Sequence, residues 1–311
     1  MKLGMVDLDT SHPGSWLPIL RDMGHDVVCV HDGGTVYPEG YAAEFAAEHG
    51  ITTVCETLEE MVGRVDAAII HSCNWDLHVE RARSFVEADV PVLLDKPIVG
   101  NVTDAQTLIE WAEAGKVVTG GSSLRYCYES RDFLSKPEEE RGTIHAAFAG
   151  CGVDEFNYGI HAYSHLFGIV GSGCASVRWL GTHVQDQFEL VWKDGRRGIL
   201  TVGETAWLPG YATVVTSKTV VQFQVDNTRI YRALLEHELP ILAGAAEPVP
   251  MRELLEPELA AIAGLVSKKA GGTPVAPSEL APGSAAYDGG AFATRYRRKR
   301  LPRYLEAKEK K

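Results

Sequence analysis

The sequence predicts two domains of different fold class, an α/β domain followed by an α+β domain, and three observations support this division. The chain has 311 residues, which is enough for two domains that each bury a core. Short apolar runs alternate with helical patterns over the first 120 residues, whereas strand-like stretches cluster together after Gly120. We therefore expect one domain at residues 1–120, a second at 121–285 and a basic C-terminal tail at 286–311.

The first domain has the pattern of a doubly wound parallel sheet. Regular alternation of strands and helices requires crossover connections, which place helices on both faces of the sheet. The clearest helix is expected at 103–114, where Thr103 and Gln106 match a capping box and Gly115 follows the last turn. Sheets of this type bind ligands at the carboxyl ends of their strands. The expected strands are 2–6, 27–30, 52–54, 67–70, 92–94 and 116–119, and the other expected helices lie near 15–23, 41–49, 57–62 and 76–88.

The second domain is expected to contain a largely antiparallel sheet with helices on one face, because its strands follow one another with few helices between them. A hairpin is predicted at Ser217-Lys218, where only these two residues separate two strand patterns. Helices are expected near 157–170 and 251–269, and a loop rich in Gly and Pro at Gly271–Gly290. The expected strands are 143–149, 177–182, 188–192, 198–202, 212–216 and 219–225.

The net charge is −12, from 30 Lys and Arg against 42 Asp and Glu. Residues Arg295–Lys311 carry nine basic and two acidic side chains, so this segment is +7 and the rest of the chain is −19. A body this acidic repels nucleic acids and anionic membranes, so we expect neither as a partner. The basic segment is expected to be a solvated extension, as terminal charge runs usually are, although it could bind anions.

Cysteine usage and hydropathy favour a cytoplasmic protein. The six cysteines include no C-x-x-C pair, so we expect reduced, mostly buried thiols rather than disulfides or a zinc site. No apolar run approaches the roughly 18 residues that span a bilayer, and the first residues do not resemble a signal peptide.

Three short motifs carry the functional signal: Asn74–His78 after the fourth strand, Asp95–Pro97 after the fifth, and Asn157–His161 at the start of a helix in the second domain. In this order they resemble the N-x-x-x-H, E-K-P and D-x-G-x-H motifs of the Gfo/Idh/MocA family, named after glucose–fructose oxidoreductase, inositol dehydrogenase and a rhizopine-catabolism protein. The resemblance implies a Rossmann-like first domain. It also implies an NAD(P)-dependent oxidoreductase that acts on a sugar, a polyol or a related hydroxy or keto compound.

The resemblance also implies roles for individual residues. Lys96 would polarise or deprotonate the reacting hydroxyl, with His161 as its partner and Asn157 in the place of the usual Asp. Arg125 lies in a stretch that resembles the family's N-x-R-F, and it is expected to contact the substrate or to hold the domain junction. His165, four residues after His161 and on the same face of a helix, is also expected near the substrate. In this family the nicotinamide lies between the two domains, and the second-domain sheet often pairs subunits. We therefore expect a homo-oligomer.

The cofactor-binding turn departs from the dinucleotide fingerprint G-x-G-x-x-G, because Asp7–His12 stand at the aligned positions. Thr10, Ser11 and His12 are nevertheless expected to contact the dinucleotide at the N-terminus of the first helix. Asp32 ends the second strand, where an acid binds the adenosine ribose and favours NAD over NADP. The other expected cofactor contacts are Ser72, Asn74, His78, Asp95 and Pro97.

The sequence is also compatible with two other functions. Asp7, Asp9, His12 and His71 follow neighbouring strands and could converge on a divalent metal, although we assign no metal from their spacing. The same fold would then serve a metal-assisted lyase, isomerase or hydrolase without a redox role. The third reading is a non-catalytic regulator that binds a small ligand.

Overall fold

The computed structural model describes residues 1–309. The first domain contains a six-stranded sheet of order β3-β2-β1-β4-β5-β6 in which every pair of neighbouring strands is parallel. The doubly wound sheet predicted from the β-α alternation is therefore confirmed. Its strands are β1 Lys2–Val6, β2 Asp26–His31, β3 Thr53–Val54, β4 Ala67–Ile70, β5 Val92–Asp95 and β6 Val118–Gly121. Its helices are α1 His12–Asp22, α2 Tyr41–His49, α3 Leu58–Val62, α4 His78–Glu87 and α5 Val102–Glu113.

The second domain contains a six-stranded sheet of order β12-β11-β7-β10-β9-β8, antiparallel except for the parallel pair β7 and β10. Helices α8 and α11 pack on one face, as expected for an α+β domain. The predicted hairpin is confirmed, since β11 and β12 pair on either side of Ser217-Lys218. The strands are β7 Ile144–Gly150, β8 Cys174–Thr182, β9 Asp186–Trp192, β10 Arg197–Val202, β11 Tyr211–Thr216 and β12 Val220–Gln224. The helices that follow α5 are α6 Tyr128–Leu134, α7 Glu138–Arg141, α8 Gly159–Val170, α9 Ile230–Leu242, α10 Met251–Leu254, α11 Glu256–Lys269 and α12 Gly289–Glu309.

Two local predictions are wrong. Asn101, not Thr103, caps α5, because its side-chain oxygen accepts a hydrogen bond from the Asp104 amide at 2.8 Å. The helix expected near 251–269 is divided at Leu255 into α10 and α11. Among the described residues, no helix is both long and apolar enough to cross a membrane.

Chain segments beyond residue 121 complete the core of the first domain. Helix α9, which sequence patterns did not reveal, buries Leu234, Leu235 and Leu239 against the face of the first sheet that also carries α1. Helix α10 buries Met251 and Leu254 on the opposite face. Burial of such side chains is worth roughly 1.5–3 kcal/mol each, so these helices stabilise the domain they cover.

The basic tail is not the solvated extension that its charge suggested. Residues 289–309 form helix α12, which docks on the first domain near the ends of β2 and β4. Ala293 is buried with Val36 and Cys73, and the Arg297 guanidinium donates hydrogen bonds at 3.0 Å to the carbonyls of Gly34 and Thr35. These contacts hold the helix against the domain although the helix has almost no apolar face. It also places a cationic helix beside the carboxyl edge of the parallel sheet.

Candidate active site

The turn after β1 retains a glycine-like backbone although an aspartate occupies it. Asp7 has φ 58°, in the left-handed region that favours glycine and that Asp tolerates better than most residues. Its fully buried carboxylate accepts hydrogen bonds from the Gly33 amide at 2.8 Å, the Ser72 hydroxyl and Arg81 Nε at 3.3 Å. Asp7 thus ties the ends of β1, β2 and β4 together, which excludes it from a metal site with His12.

Asp9 is also fully buried at this edge. One carboxyl oxygen accepts a hydrogen bond from the Cys73 amide at 2.9 Å, whereas the other, Oδ1, has no hydrogen-bond partner among the described residues. Burial, together with the nearby Asp7 carboxylate, raises the pKa of Asp9 to about 7. Near neutral pH a large share of Asp9 is therefore protonated and carries no charge.

The turn after β1 is compatible with the phosphates of a dinucleotide. The groups that would face the phosphates differ from the main-chain amides of the usual glycine-rich loop. Protonated Asp9 has a hydroxyl to donate, and its neutral form removes much of the repulsion that a carboxylate would exert on a phosphate. Thr10 and Ser11 add hydroxyls at the start of α1, where Ser11 is exposed and makes no capping hydrogen bond. Asp32 lies at the end of β2, with one oxygen bound to the Leu8 amide at 3.2 Å.

His12, His71 and Asp95 form a compact cluster across the ends of α1, β4 and β5. The Nδ1 atoms of His12 and His71 lie 2.6 and 2.9 Å from the same Asp95 oxygen. Burial alone would raise the pKa of Asp95, but the two imidazoles hold it well below its usual value. Burial lowers the pKa of His71, against the opposing effect of the Asp95 carboxylate. The predicted set Asp7, Asp9, His12 and His71 is corrected: the structure joins Asp95 to the two histidines.

Lys96 follows Asp95 and points across to the second domain. Its Nζ donates hydrogen bonds of 3.0 Å to the main-chain and side-chain oxygens of Asn157, and it lies 5.2 Å from the centre of the Tyr158 ring. Burial lowers the pKa of Lys96, against the opposing charges of Asp95 and Asp154. Because Asn157 supplies neutral acceptors and no negative charge, it orients the lysine and favours the ammonium form less than a carboxylate would.

His161 lies close to this lysine. Its Nδ1 is 2.7 Å from the Ser122 hydroxyl, which determines the orientation of the ring. Burial, and then the neighbouring Lys96 and His12 charges, hold the pKa of His161 well below its ordinary value. The structure thus brings Lys96, Asn157 and His161 together, as the motifs predicted. Ser164 is buried on the same helix.

Two other predicted site residues have different surroundings from those expected. His78 is fully buried, and its two ring nitrogens lie 2.9 and 3.0 Å from the carbonyls of Ile98 and Ser72, so it connects two loops instead of facing a cofactor. His165 is fully buried, with Nε2 3.5 Å from the Cys127 sulfur, which contradicts a substrate contact. Burial lowers the pKa of His165 to about 4.

Arg125 lies at the junction of the two domains, where its charge acts on the buried Glu258 carboxyl. Its Nη1 is buried without a hydrogen-bond partner among the described residues. Of the other predicted cofactor contacts, Ser72 donates to Asp7, Pro97 is buried, and Asn74 adjoins the first turn of α12 near Gly289. Helix α12 therefore lies beside the carboxyl edge of the parallel sheet.

Tyr231, Tyr296 and Arg300 belong to the same cleft, and sequence reasoning missed them. The Tyr231 ring contacts His12 edge-on, with 5.1 Å between ring centres. Tyr296 packs against the small apolar cluster of Val36, Cys73 and Ala293. Arg300 Nε donates to the Tyr296 hydroxyl at 3.0 Å. A signal for the α12 residues was present in the tail, because Tyr296 and Arg300 are four residues apart and lie on one face of a helix.

Comparison with known proteins agrees with this architecture. Residues 17–121 match the Gfo/Idh/MocA family model, described as an oxidoreductase family with an NAD-binding Rossmann fold. Similar solved structures include a probable dehydrogenase from Thermotoga maritima, with a TM-score of 0.76 at 16% identity over 90% of this chain and 100% of that one. Another is scyllo-inositol dehydrogenase from Lactobacillus casei with bound NAD(H) and scyllo-inositol, with a TM-score of 0.73 at 14% identity over 90% and 99% of the two chains.

Because the sequence identities are low, the similar solved structures establish only the fold of the two domains. The family model matches residues of the first domain. The family resemblance inferred from the three motifs is thereby confirmed. Residues 17–121 are therefore similar to the NAD-binding Rossmann domain of the Gfo/Idh/MocA oxidoreductase family.

Proposed function

We propose that the protein transfers a hydride between NAD(P) and a hydroxy or keto compound of the sugar or polyol class, with Lys96 and His161 handling the proton. The observation that carries this proposal is the constellation of Lys96, Asn157 and His161 between the two domains. A similar fold in scyllo-inositol dehydrogenase holds NAD(H) and scyllo-inositol together, which supports a polyhydroxylated substrate.

The chemistry assigned to the chain is proton transfer at Lys96 Nζ. When bound, the nicotinamide accepts or supplies the hydride. Burial lowers the pKa of Lys96, so a neutral amine is more accessible than at an exposed lysine, and it can take the proton of a hydroxyl that is being oxidised. In the reverse direction the ammonium returns that proton to the carbonyl oxygen.

His161 and Asn157 assist in different ways. Neutral His161, held by Ser122, can donate or accept a hydrogen bond at the reacting oxygen without adding a second positive charge beside Lys96. Asn157 fixes the position of Nζ through two oxygens. Asp32 supports a preference for NAD, because a carboxyl group at the end of β2 suits a free ribose hydroxyl better than a phosphate.

The test is a calorimetric titration with NAD⁺, NADH, NADP⁺ and NADPH, followed by an absorbance assay at the nicotinamide band with polyols and sugars. We expect a bound dinucleotide and turnover that Lys96→Met abolishes while dinucleotide affinity stays within about threefold. Lys116→Met is the matched control, because Lys116 pairs with Asp89 on the surface. Failure of all four dinucleotides to bind would refute the proposal, and full turnover in Lys96→Met would refute the role of Lys96.

A second candidate function rests on the His12, His71 and Asp95 cluster, whose ligand atoms lie within 4.8 Å of one another. Two imidazoles and one carboxylate suit several divalent ions, so a metal-assisted reaction on the same fold remains a competing proposal. Elemental analysis of protein purified without an affinity tag tests it. Stoichiometric metal that His71→Ala removes would support this candidate, and metal-free protein with full turnover would exclude it.

We also propose that the outer face of the second sheet pairs subunits. Phe148, Val215 and Val220 are exposed on β7, β11 and β12, three strands that lie side by side. Adjacent exposed apolar side chains of this kind are typical of an interface. Light scattering should report an oligomer that Val215→Lys with Val220→Lys dissociates, whereas a monomeric wild-type protein would contradict the proposal.

A further inference from the structure

Helix α12 lines a cavity with its basic face. The cavity has a volume of about 1000 Å³ and is bounded on the other side by the second domain, including residues 153–158 and 203–205. Arg295, Lys299, Arg300 and Arg303 all line it. Their spacings of four, one and three residues place them on one side of the helix. The cavity volume is at the upper end of the range of roughly 300–1,000 Å³ for small-molecule sites.

Five acidic side chains also line this cavity, and two of them pair with a lysine. Asp154 accepts hydrogen bonds from the amides of Phe156 and Tyr158, each at 3.0 Å. Glu155 and Asp186 pair with Lys268 at 2.8 and 2.6 Å. Three acids in the lining have no cationic partner among the described residues: Asp154, Asp288, which accepts from the Ala291 amide at 2.7 Å, and Glu204, which is exposed.

The four cations of α12 have no such compensation. Among the described residues, no carboxylate lies within ion-pair distance of any of them, and Arg300 has the neutral Tyr296 hydroxyl as its partner. Four uncompensated charges on one concave surface repel one another unless an anion lies between them. In a chain whose net charge is −12, this local excess of positive charge favours a specific anionic ligand.

Phosphate is the anion that this surface suits best. Arginine side chains bind phosphate through paired N–H donors, and lysine adds a compact charge. A dianion also balances several cations, whereas a carboxylate carries only one charge. Three arginines and one lysine on a single helix face match a phosphate ester better than a carboxylate.

The cavity continues to the residues that hold Lys96. Asn157, which binds Lys96 Nζ, and Tyr158, whose ring lies beneath that nitrogen, both line it. A single ligand can therefore extend from the basic face of α12 toward the proposed reaction centre. Its anionic end would lie against α12, and its reacting hydroxyl would lie beyond Asn157 and Tyr158, beside Lys96, which does not itself line the cavity.

We infer that the substrate is a phosphorylated sugar or polyol whose phosphate is bound by Arg295, Lys299, Arg300 and Arg303. This inference rests on the proposed oxidoreductase function, since it names the substrate class of that site. It assigns a role to the basic tail that the family resemblance does not supply. The interaction positions the substrate and leaves the chemistry to Lys96.

Calorimetry on the full chain tests the inference independently of turnover. The probes are inorganic phosphate, glucose 6-phosphate, glucose, myo-inositol 1-phosphate, myo-inositol, glucuronate, NAD⁺ and NADP⁺. We expect at least one phosphate ester to bind at least tenfold more tightly than its parent sugar or polyol, and inorganic phosphate to compete with it. Affinity should fall about tenfold or more in the double variant Lys299→Gln with Arg303→Gln, because two charge-assisted contacts are lost.

Arg298→Gln is the matched control. Arg298 is exposed on the same helix but does not line the cavity, so its loss should change affinity less than twofold. Thermal melting of each variant checks that the helix remains folded. Phosphate-ester binding that persists in Lys96→Met would show that the anion site is present even if the oxidoreductase function fails.

Three outcomes would overturn the inference. The first is that no phosphate-bearing probe, including inorganic phosphate at tens of millimolar, binds in a way that depends on Lys299 and Arg303. The second is that glucuronate binds as tightly as the phosphate esters. The third is that the double variant loses only NADP⁺ or NAD⁺ affinity, which would assign the cations to the dinucleotide instead of the substrate.

Discussion

Lys96 Nζ donates one hydrogen bond to the main-chain oxygen of Asn157 and one to its side-chain oxygen, each at 3.0 Å. The two residues come from different domains, so the contact closes the cleft at the lysine. The Asn157 amide orients the lysine amine without supplying a negative charge.

Replacing Asn157 with Asp should raise the pKa of Lys96, because a carboxylate at hydrogen-bond distance stabilises the ammonium form. Oxidation of a hydroxyl requires the neutral amine, so the rising limb of kcat/KM against pH should move upward by about one unit or more. At pH 7 the rate should fall about tenfold and recover at higher pH. Asn227→Asp, outside the site, should leave the profile unchanged, and an unshifted profile in Asn157→Asp would show that Lys96 is not the titrating group.

Replacing Asp9 with Asn should stabilise the protein at alkaline pH. The pKa of Asp9 is about 7 in the folded state and near 4 when unfolded, so ionisation opposes folding. Its contribution is fully present at low pH and is lost as pH rises from about 4 through 7. Asn still accepts the Cys73 hydrogen bond without acquiring charge.

Denaturant unfolding at pH 5, 7 and 8.5 measures this effect. The difference between wild type and Asp9→Asn should grow with pH and reach a few kcal/mol at pH 8.5. Asp26→Asn, on an exposed side chain, should show no such trend. A difference that does not vary with pH would mean that Asp9 is ionised throughout.

Replacing Arg297 with Met should loosen the docking of α12. The side chain loses two hydrogen bonds to the Gly34 and Thr35 carbonyls, and net losses of about 1–3 kcal/mol are usual when charged donors are removed. Hydrogen exchange should accelerate in residues 33–37 and 289–309 and remain unchanged in β5. Arg298→Met is the control, and equal exchange in both variants would show that Arg297 does not anchor the helix.

Replacing His165 with Leu should reduce the sensitivity of the fold to acid. The pKa of His165 is about 4 when folded and near 6.5 when unfolded, so the unfolded chain binds its proton first as pH falls. Wild-type stability should therefore decrease from pH 6.5 to 4 more steeply than that of the variant. Urea unfolding at pH 7 and 5 checks this, with exposed His183→Gln as the control.

His165→Leu also tests the corrected assignment. Because His165 packs against Cys127 and Phe223 instead of the cleft, KM should change less than about threefold. A large rise in KM at unchanged stability would restore the original prediction that it contacts substrate.

Much of the fold followed from local patterns. Apolar runs such as Ala67–Ile70 and Val92–Leu94 are buried over their whole length, and that property marks parallel strands covered on both faces. The Lys96, Asn157 and His161 set was recognisable because each residue lies in a short motif beside a strand or helix end. Asp7 and Asp9 were recognised as departures, but their hydrogen-bond partners were not.

The sequence by itself determined the two fold classes, and it pointed to the family resemblance and to the motifs that contain Lys96, Asn157 and His161, because periodicity and short motifs are properties of neighbouring residues. Only the tertiary structure decided that Asp95 joins His12 and His71, that His165 belongs to the core, and that α12 lines the cleft. These relations depend on strand order and helix docking, which bring together residues as distant as Gly34 and Arg297. A basic helix with almost no apolar stripe has no local signal of where it packs, so its position emerges only when the rest of the chain has folded.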